Sequence, residues 1–273
     1  MRQLNWIQIK KFFWQIGLLL FILAIPSVGW SLTAREIMDK VEAREKGDNA
    51  VLDMQMILID KQGKQRERIV RSYRKKKDTN DYSIIFFESP ADVKGTGFLT
   101  HDYKDPQQND DQWLYLPALR KIKRIAAGDK SGSFMGSDFN YSDLASRNLD
   151  NYEFTLLKED EVRGKKVWQI KSVPKSDQEI EETGYTQSIA FVQQDNFVVV
   201  RSVAWVNNKK YLRYMDIKKL ELVDNVWVAA EMQMTTKEGQ TTIHQTNLIQ
   251  KNILFNQNLD DELFTTRQLE KGL

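Results

Sequence analysis

From about residue 49 onward, apolar residues recur at every second position, and this alternation constrains the chain more than any other feature. Leu52, Met54, Met56 and Leu58 share one face of a strand while Asp53 and Gln55 take the other. Lys61-Gln62-Gly63-Lys64 turns the chain into a second strand over Arg66–Tyr73. Ile84–Phe87 is a short run, apolar on both faces, that stops at Pro90. Further strands are predicted at Gly97–Tyr103, Gln112–Leu116, Lys121–Ile125, Tyr152–Lys158 and Lys165–Val173. A closing series follows at Tyr185–Gln193, Phe197–Val206, Tyr211–Glu221, Val226–Thr235 and Thr241–Leu248. Asp195-Asn196, Asn207-Asn208, Asp224-Asn225 and Glu238-Gly239 supply turns between them. Such spacing predicts a mainly β, meandering antiparallel sheet curled into a barrel or half-barrel. Phe197–Val200 and Val203–Val206 are apolar on both faces, so that strand is expected to be covered on both sides.

Helical patterns are few. Thr33 and Glu36 form a capping box ahead of an Ile37, Met38, Val41 stripe, and Gly47 is a natural stop. Short helical patterns at Tyr141–Ser146 and Asp260–Leu263 are candidates for covering the sheet.

The first 31 residues read as a signal-peptide helix. Arg2, Lys10 and Lys11 precede an apolar stretch over Phe12–Ile25, then Pro26 and the small residues Ser27, Gly29 and Ser31. That stretch is shorter than the roughly 20 residues that span a bilayer, which favours a cleavable leader, with cleavage after Ser31 or Gly29, over an anchor. Residues 32–273 are then one domain of the mature protein. Removing Arg2, Lys10 and Lys11 from 40 Lys+Arg leaves 37 against 38 Asp+Glu, a near-neutral balance that argues against a general nucleic-acid binder. The chain has no cysteine, which closes both a disulfide framework and a lipidated anchor.

Signals for catalysis are weak. His101 and His244 lie far apart without metal-ligand spacing, and neither H-E-x-x-H nor G-x-S-x-G occurs. His101 and Asp102 are adjacent strand residues and point to opposite faces. Gly128–Ser133 lacks the order of a phosphate loop, and Asp177, Glu179, Glu181 and Glu182 read as one solvated polar loop. No metal, cofactor or enzymatic activity is expected.

Two basic segments stand out. Arg66, Arg68, Arg71, Arg74 and Lys75–Lys77 suit either a charged strand that resists edge pairing or contact with anionic headgroups. Arg120, Lys121, Lys123 and Arg124 follow an aromatic strand, Gln112-Trp113-Leu114-Tyr115-Leu116-Pro117. Downstream come Ser133-Phe134-Met135-Gly136-Ser137-Asp138-Phe139, then Tyr141, Asp143 and Leu144.

In this order, Q-W-x-Y-x-P, a basic strand and S-F-M-G-S-D-F, the chain resembles the outer membrane lipoprotein-sorting protein family, a branch of the LolA/LolB-like superfamily. The likeness extends more loosely from about Thr33 to the C-terminus. It implies an incomplete antiparallel β-barrel of roughly eleven strands with a few helices covering the open mouth. It also implies a periplasmic carrier that shields acyl chains from water, since each buried methylene contributes about 0.8 kcal/mol. Relatives of this branch are associated with inner-membrane exporters of the resistance-nodulation-division type, so a non-catalytic adaptor for such a lipid exporter is the alternative.

These readings assign residues. Met54, Met56, Leu58 and Phe86 are candidate lipid contacts, the methionines because an unbranched thioether repacks easily. Trp113, Tyr115, Arg120, Arg124, Phe134, Asp138 and Phe139 form a partner-docking or structural motif. Within it, Trp113, Tyr115, Phe134 and Phe139 are expected to pack together, and Asp138 or Ser137 to cap the following short helix. A carrier requires an apolar hollow open to its cargo, an adaptor a filled interior, and an enzyme convergent polar groups in a cleft.

Overall fold

The computed structural model describes residues 32–105, 108–208 and 210–273. The predicted leader lies outside the described residues. The alternating pattern becomes one antiparallel sheet of thirteen strands that is not closed into a barrel. They are β1 (Asn49–Asp60), β2 (Gln65–Lys77), β3 (Asn80–Ser89), β4 (Gly97–Asp102), β5 (Asp111–Leu116), β6 (Lys121–Arg124), β7 (Tyr152–Val162), β8 (Lys165–Pro174), β9 (Tyr185–Gln193), β10 (Val199–Val206), β11 (Tyr211–Val223), β12 (Val226–Glu238) and β13 (Thr241–Phe255). Thirteen strands replace the roughly eleven implied by the resemblance; each predicted run forms its own strand. Among the described residues, three α-helices accompany the sheet: α1 (Ala34–Glu42), α2 (Asp177–Thr183) and α3 (Thr266–Lys271).

Strand order runs β6-β5-β4-β3-β2-β1-β13-β12-β11-β10-β9-β8-β7. The first and last strands therefore pair in the middle, β1 with β13, while the free edges β6 and β7 are consecutive along the chain. The segment from Ile125 to Asn151 connects one edge to the other. Hairpin chemistry follows the residues present: Asp224 (φ 48°) and Asn225 (φ 64°) both sit in the left-handed region, as a tight β11–β12 turn requires.

The two faces of the sheet carry different cores. On the inner face, Met56, Leu58, Val70, Phe87, Phe98, Leu114, Met234 and Leu248 are buried beneath Phe134 and Phe139 of the connecting segment. On the outer face, Ile84, Phe86 and Leu99 meet Phe264 and Leu269 from the C-terminal segment, with Trp113 and Tyr115 packed against them. This explains the doubly apolar run in β3: Phe87 and Phe86 serve opposite cores. Gly97 belongs to the same contact, because a Cβ there would lie 2.6 Å from Leu269 Cδ1.

Strand β10 differs from expectation. Val200 is buried in a cluster with Val162, Val167, Val198 and Ile217, and Ala204 is buried beside the inner-face hollow, whereas Val203, Trp205 and Val206 stay partly exposed, so the cover is incomplete along the second half of the strand. The acidic run expected as a polar loop is helix α2, capped by Ser176 Oγ accepting from the Glu179 amide and stopped by Gly184 at φ 77°. The capping box of α1 forms as predicted, with Thr33 and Glu36 each accepting from the other's backbone amide.

One irregularity breaks the ladder. β12 and β13 pair from Glu231↔Ile249 to Glu238↔Thr241, and no pairing continues over Val226–Ala230. Register shifts in β11–β12 between Ile217 and Leu220, and in β1–β13 between Val51 and Asp53, lie beside this break. Apolar side chains bridge the gap instead: Val226 and Val228 share a buried cluster with Ala50 and Phe255.

Candidate functional site

Beyond the region filled by Phe134 and Phe139, the inner face of the other half of the sheet is lined by small side chains. Register places Ser172 of β8 beside Ser188 of β9, Ser188 beside Ala204 of β10, and Ala190 beside Ser202. Five short side chains at adjoining positions leave a depression. Above it α1 lies with Met38 and Val41, and Met215 and Met234 form a wall, enclosing a hollow of about 270 Å³.

One end of the hollow is polar. Arg213 of β11 donates from Nη1 to Asn140 Oδ1 (2.5 Å) and to the Tyr185 hydroxyl (2.9 Å). Tyr185 in turn donates to Asp143 Oδ2 at 2.9 Å, and that oxygen also accepts from the Asn140 amide at 2.8 Å. Asn140 Nδ2 donates to the Thr183 carbonyl at 2.8 Å. Burial pushes the Tyr185 hydroxyl well above its ordinary pKa, with the Asp143 charge adding to it, so it stays a neutral donor. Arg213 Nε is buried with no partner among the described residues, which leaves donor capacity on a group already removed from water.

A second pocket of about 430 Å³ lies at the parted strands, lined by Ala50, Leu52, Val228, Ile253 and Phe255 together with polar Thr100 and Arg74. Trp227 borders it and remains 38% exposed. Both pockets border on Asp143, as does a third, more polar one of about 400 Å³ near Asp102 and Lys130.

The connecting segment is held down by a buried carboxylate. Asp138, 2% exposed, accepts from Thr236 Oγ1 (2.5 Å), Thr246 Oγ1 (2.7 Å) and His244 Nδ1 (2.7 Å). Arg68 adds a bond from Nη1 to the Met135 carbonyl at 2.5 Å. Asp138 is therefore no helix cap. Asn140 and Asp143 form the capping box of the short helical turn Tyr141–Leu144, while Ser137 Oγ donates to the Phe134 carbonyl.

The other predicted residues divide between the faces. Met56 and Leu58 are buried in the inner core with Phe134 and Phe139, and Met54 packs against it. Phe86 lies in the outer core, apart from those three. Trp113 and Tyr115 also belong to the outer face, so they do not pack with Phe134 and Phe139; the sheet separates the two pairs. Trp113 sits edge-on to His101 at 4.9 Å, and His101 Nε2 lies 2.9 Å from the Phe264 carbonyl. Asp102 faces the other way and accepts from the Ser146 amide, so the adjacent histidine and aspartate do not cooperate. Arg124 pairs with Asp111 across the hairpin, and Arg120 occupies its turn at φ 48°. Sequence reasoning missed Arg213, Tyr185, Asn140 and the small-residue floor. The alternation Ser188-x-Ala190 and Ser202-x-Ala204 carried the signal for the floor: two neighbouring strands with short side chains at every second position.

A family model described only as an uncharacterized-protein-like group matches residues 79–271. The crystal structure of a putative outer membrane lipoprotein-sorting protein domain from Vibrio parahaemolyticus is 30% identical, with a TM-score of 0.78, covering 87% of this chain and 98% of that one. The chain belongs to the outer membrane lipoprotein-sorting protein family. Two further structures share the fold of this sorting-family protein. A DUF1329 family protein from Desulfovibrio piger matches with a TM-score of 0.78 at 24% identity, over 86% of this chain and 97% of its own. A LolA superfamily protein from Nitrosomonas europaea matches with a TM-score of 0.66 at 15% identity, over 87% and 100%. No curated protein matches the sequence. The LolA-like architecture expected from the Q-W-x-Y-x-P and S-F-M-G-S-D-F motifs is thus the architecture of this sorting-family member.

Proposed function

We propose that this protein is a non-catalytic periplasmic carrier that holds the hydrocarbon part of a lipid or lipoprotein and moves it toward the outer membrane. The observation that carries the reading is the hollow under α1. Its methionine and alanine lining suits hydrocarbon, and its floor is built from residues too small to fill it. The sorting role named for the Vibrio parahaemolyticus relative supports the same reading. Asp143, Tyr185 and Asn140 at its polar end are held in fixed hydrogen bonds, and among the described residues no nucleophile with an adjacent base lines it, which suits holding a ligand. Export through the predicted leader would bring the carrier to the compartment where such cargo must cross water.

The test is purification from the periplasm without detergent, followed by mass spectrometry of an organic extract. Stoichiometric co-purifying lipid supports the carrier. A lipid-free protein that also binds no added acylated lipoprotein overturns it.

A second reading, an adaptor for an inner-membrane lipid exporter, draws on a different observation. Leu119 is 62% exposed at the tip of the β5–β6 hairpin beside Arg120, Lys121 and Lys123, and the inner face nearest that hairpin is filled by the protein's own Phe134. Crosslinking from position 119 in intact cells separates the two, because an adaptor gives one transporter-sized product and a freely diffusing carrier gives none.

A further inference from the structure

We infer that the hollow under α1 selects a single-chain amphiphile with an anionic head, and that Arg213 is the residue that reads the head. This rests on the carrier reading and narrows its cargo.

Charge inside the hollow is unevenly satisfied. Four ionic side chains border it: Arg213, Arg147, Asp143 and Glu42. Both carboxylates are already engaged. Asp143 accepts from Tyr185 and the Asn140 amide, and Glu42 accepts from Lys104 at 2.7 Å and pairs with Lys46 at 3.1 Å. Neither cation is. Arg213 approaches Asp143 only to 4.0 Å, spends Nη1 on two neutral oxygens, and keeps Nε buried without an acceptor. Arg147 makes a ring contact with Tyr152 at 5.8 Å and no hydrogen bond or ion pair among the described residues. A guanidinium held in place by Asn140 and Tyr185, with donors to spare, matches a carboxylate or phosphate oxygen pair. The apolar part of the lining, Met38, Val41, Leu149, Met215 and Met234, offers hydrocarbon contact above a floor that also carries the hydroxyls of Ser172, Ser188 and Ser202.

Volume sets the number of chains. At about 270 Å³ the hollow falls just below the span of about 300–1,000 Å³ usual for small-molecule pockets. One chain fits that space better than the several chains of a fully acylated lipoprotein. A fatty acid and an alkyl phosphate share the required chemistry, a terminal oxyanion on one alkyl chain.

The test uses the mature protein and isothermal titration with dodecanoate, dodecyl phosphate and methyl dodecanoate. The wild type is expected to bind at least one anion about tenfold or more tighter than the ester, the worth of a charge-assisted bond; whichever anion binds tighter identifies the head. Arg213→Met should bring the anion down to the ester's affinity and leave the ester unchanged. Because that change leaves Asp143 without its neighbouring cation and can unfold the site, Ala204→Leu provides an independent check. It raises the floor with Arg213 intact and should abolish binding of all three, while circular dichroism shows a folded sheet. Equal wild-type binding of anions and ester overturns the headgroup inference and leaves the carrier standing. So does an Ala204→Leu protein that binds like wild type. Binding of none of the three, with lipid still co-purifying, overturns this inference alone; binding of none and no co-purifying lipid removes both.

Discussion

Asp138 and His244, separated by 106 residues in sequence, meet at 2.7 Å between the carboxylate Oδ2 and the imidazole Nδ1. The contact ties the segment that fills the inner face to β13, with Thr236 and Thr246 donating to the same carboxylate. Asp138→Ala removes all three acceptor contacts and leaves the fully buried Thr246 hydroxyl without its acceptor. A loss of about 3 kcal/mol is expected, read as a lower urea midpoint with an unchanged slope. Asp138→Asn, which keeps one acceptor oxygen, should lose less.

The outer face predicts a separable effect. Leu269 of α3 is fully buried against the β3–β5 face that carries Trp113 and Tyr115. Leu269→Ala should cost about 2–4 kcal/mol and expose residues 256–265 to limited proteolysis. Trp113→Ala should loosen the same helix. Neither change touches the hollow, so ligand affinity per folded molecule should stay at the wild-type value.

Asp110 gives a pH dependence. Burial, reinforced by nearby Asp102, raises its pKa from 3.8 to about 6, against the opposing hydrogen bond from the Tyr103 amide. The folded state therefore holds a proton that the unfolded state gives up between about pH 4 and 6, and stability falls as pH rises through that window. Asp110→Asn should stabilise the protein by about 1 kcal/mol at neutral pH, the full shift being discounted for the group's partial exposure. The advantage should vanish below about pH 4, in parallel thermal melts of the two proteins.

The parted strands make a prediction about exchange. In Val226–Ala230, amides that point away from β11 have no ladder partner on β13. They should exchange with deuterium much faster than those of Glu231–Glu238, which bond on both sides. Uniform protection along β12 would mean that the ladder closes in solution.

The fold was legible because the alternation is strong: every run predicted as a strand is one, and the Thr33–Glu36 box marked α1 without tertiary information. What escaped is whatever depends on which strand parity faces which cover. In β5 the pattern distinguishes Trp113 and Tyr115 from Leu114 and Leu116, but only the fold assigns the former to α3 and the latter to Phe134. The same limit put Phe86 with Met56. From sequence Asp138 resembles a local cap because local hydrogen bonds are all that a short window contains, whereas its partners lie at Thr236, His244 and Thr246. The hollow was hidden for a related reason. Ser172, Ser188, Ala190, Ser202 and Ala204 mean nothing singly and become a cavity only when register sets them side by side.

Because β6 and β7 are consecutive in the chain yet stand at opposite margins of the sheet, the gap between those margins is bridged by polypeptide from Ile125 to Asn151 and not by a ladder. A ladder admits only whole-register steps, while a strap can be lengthened one residue at a time, each doubling costing only about 0.6 kcal/mol of closure entropy. Related chains can thus resize the interior by insertion within this one stretch, with all thirteen strands left where they are.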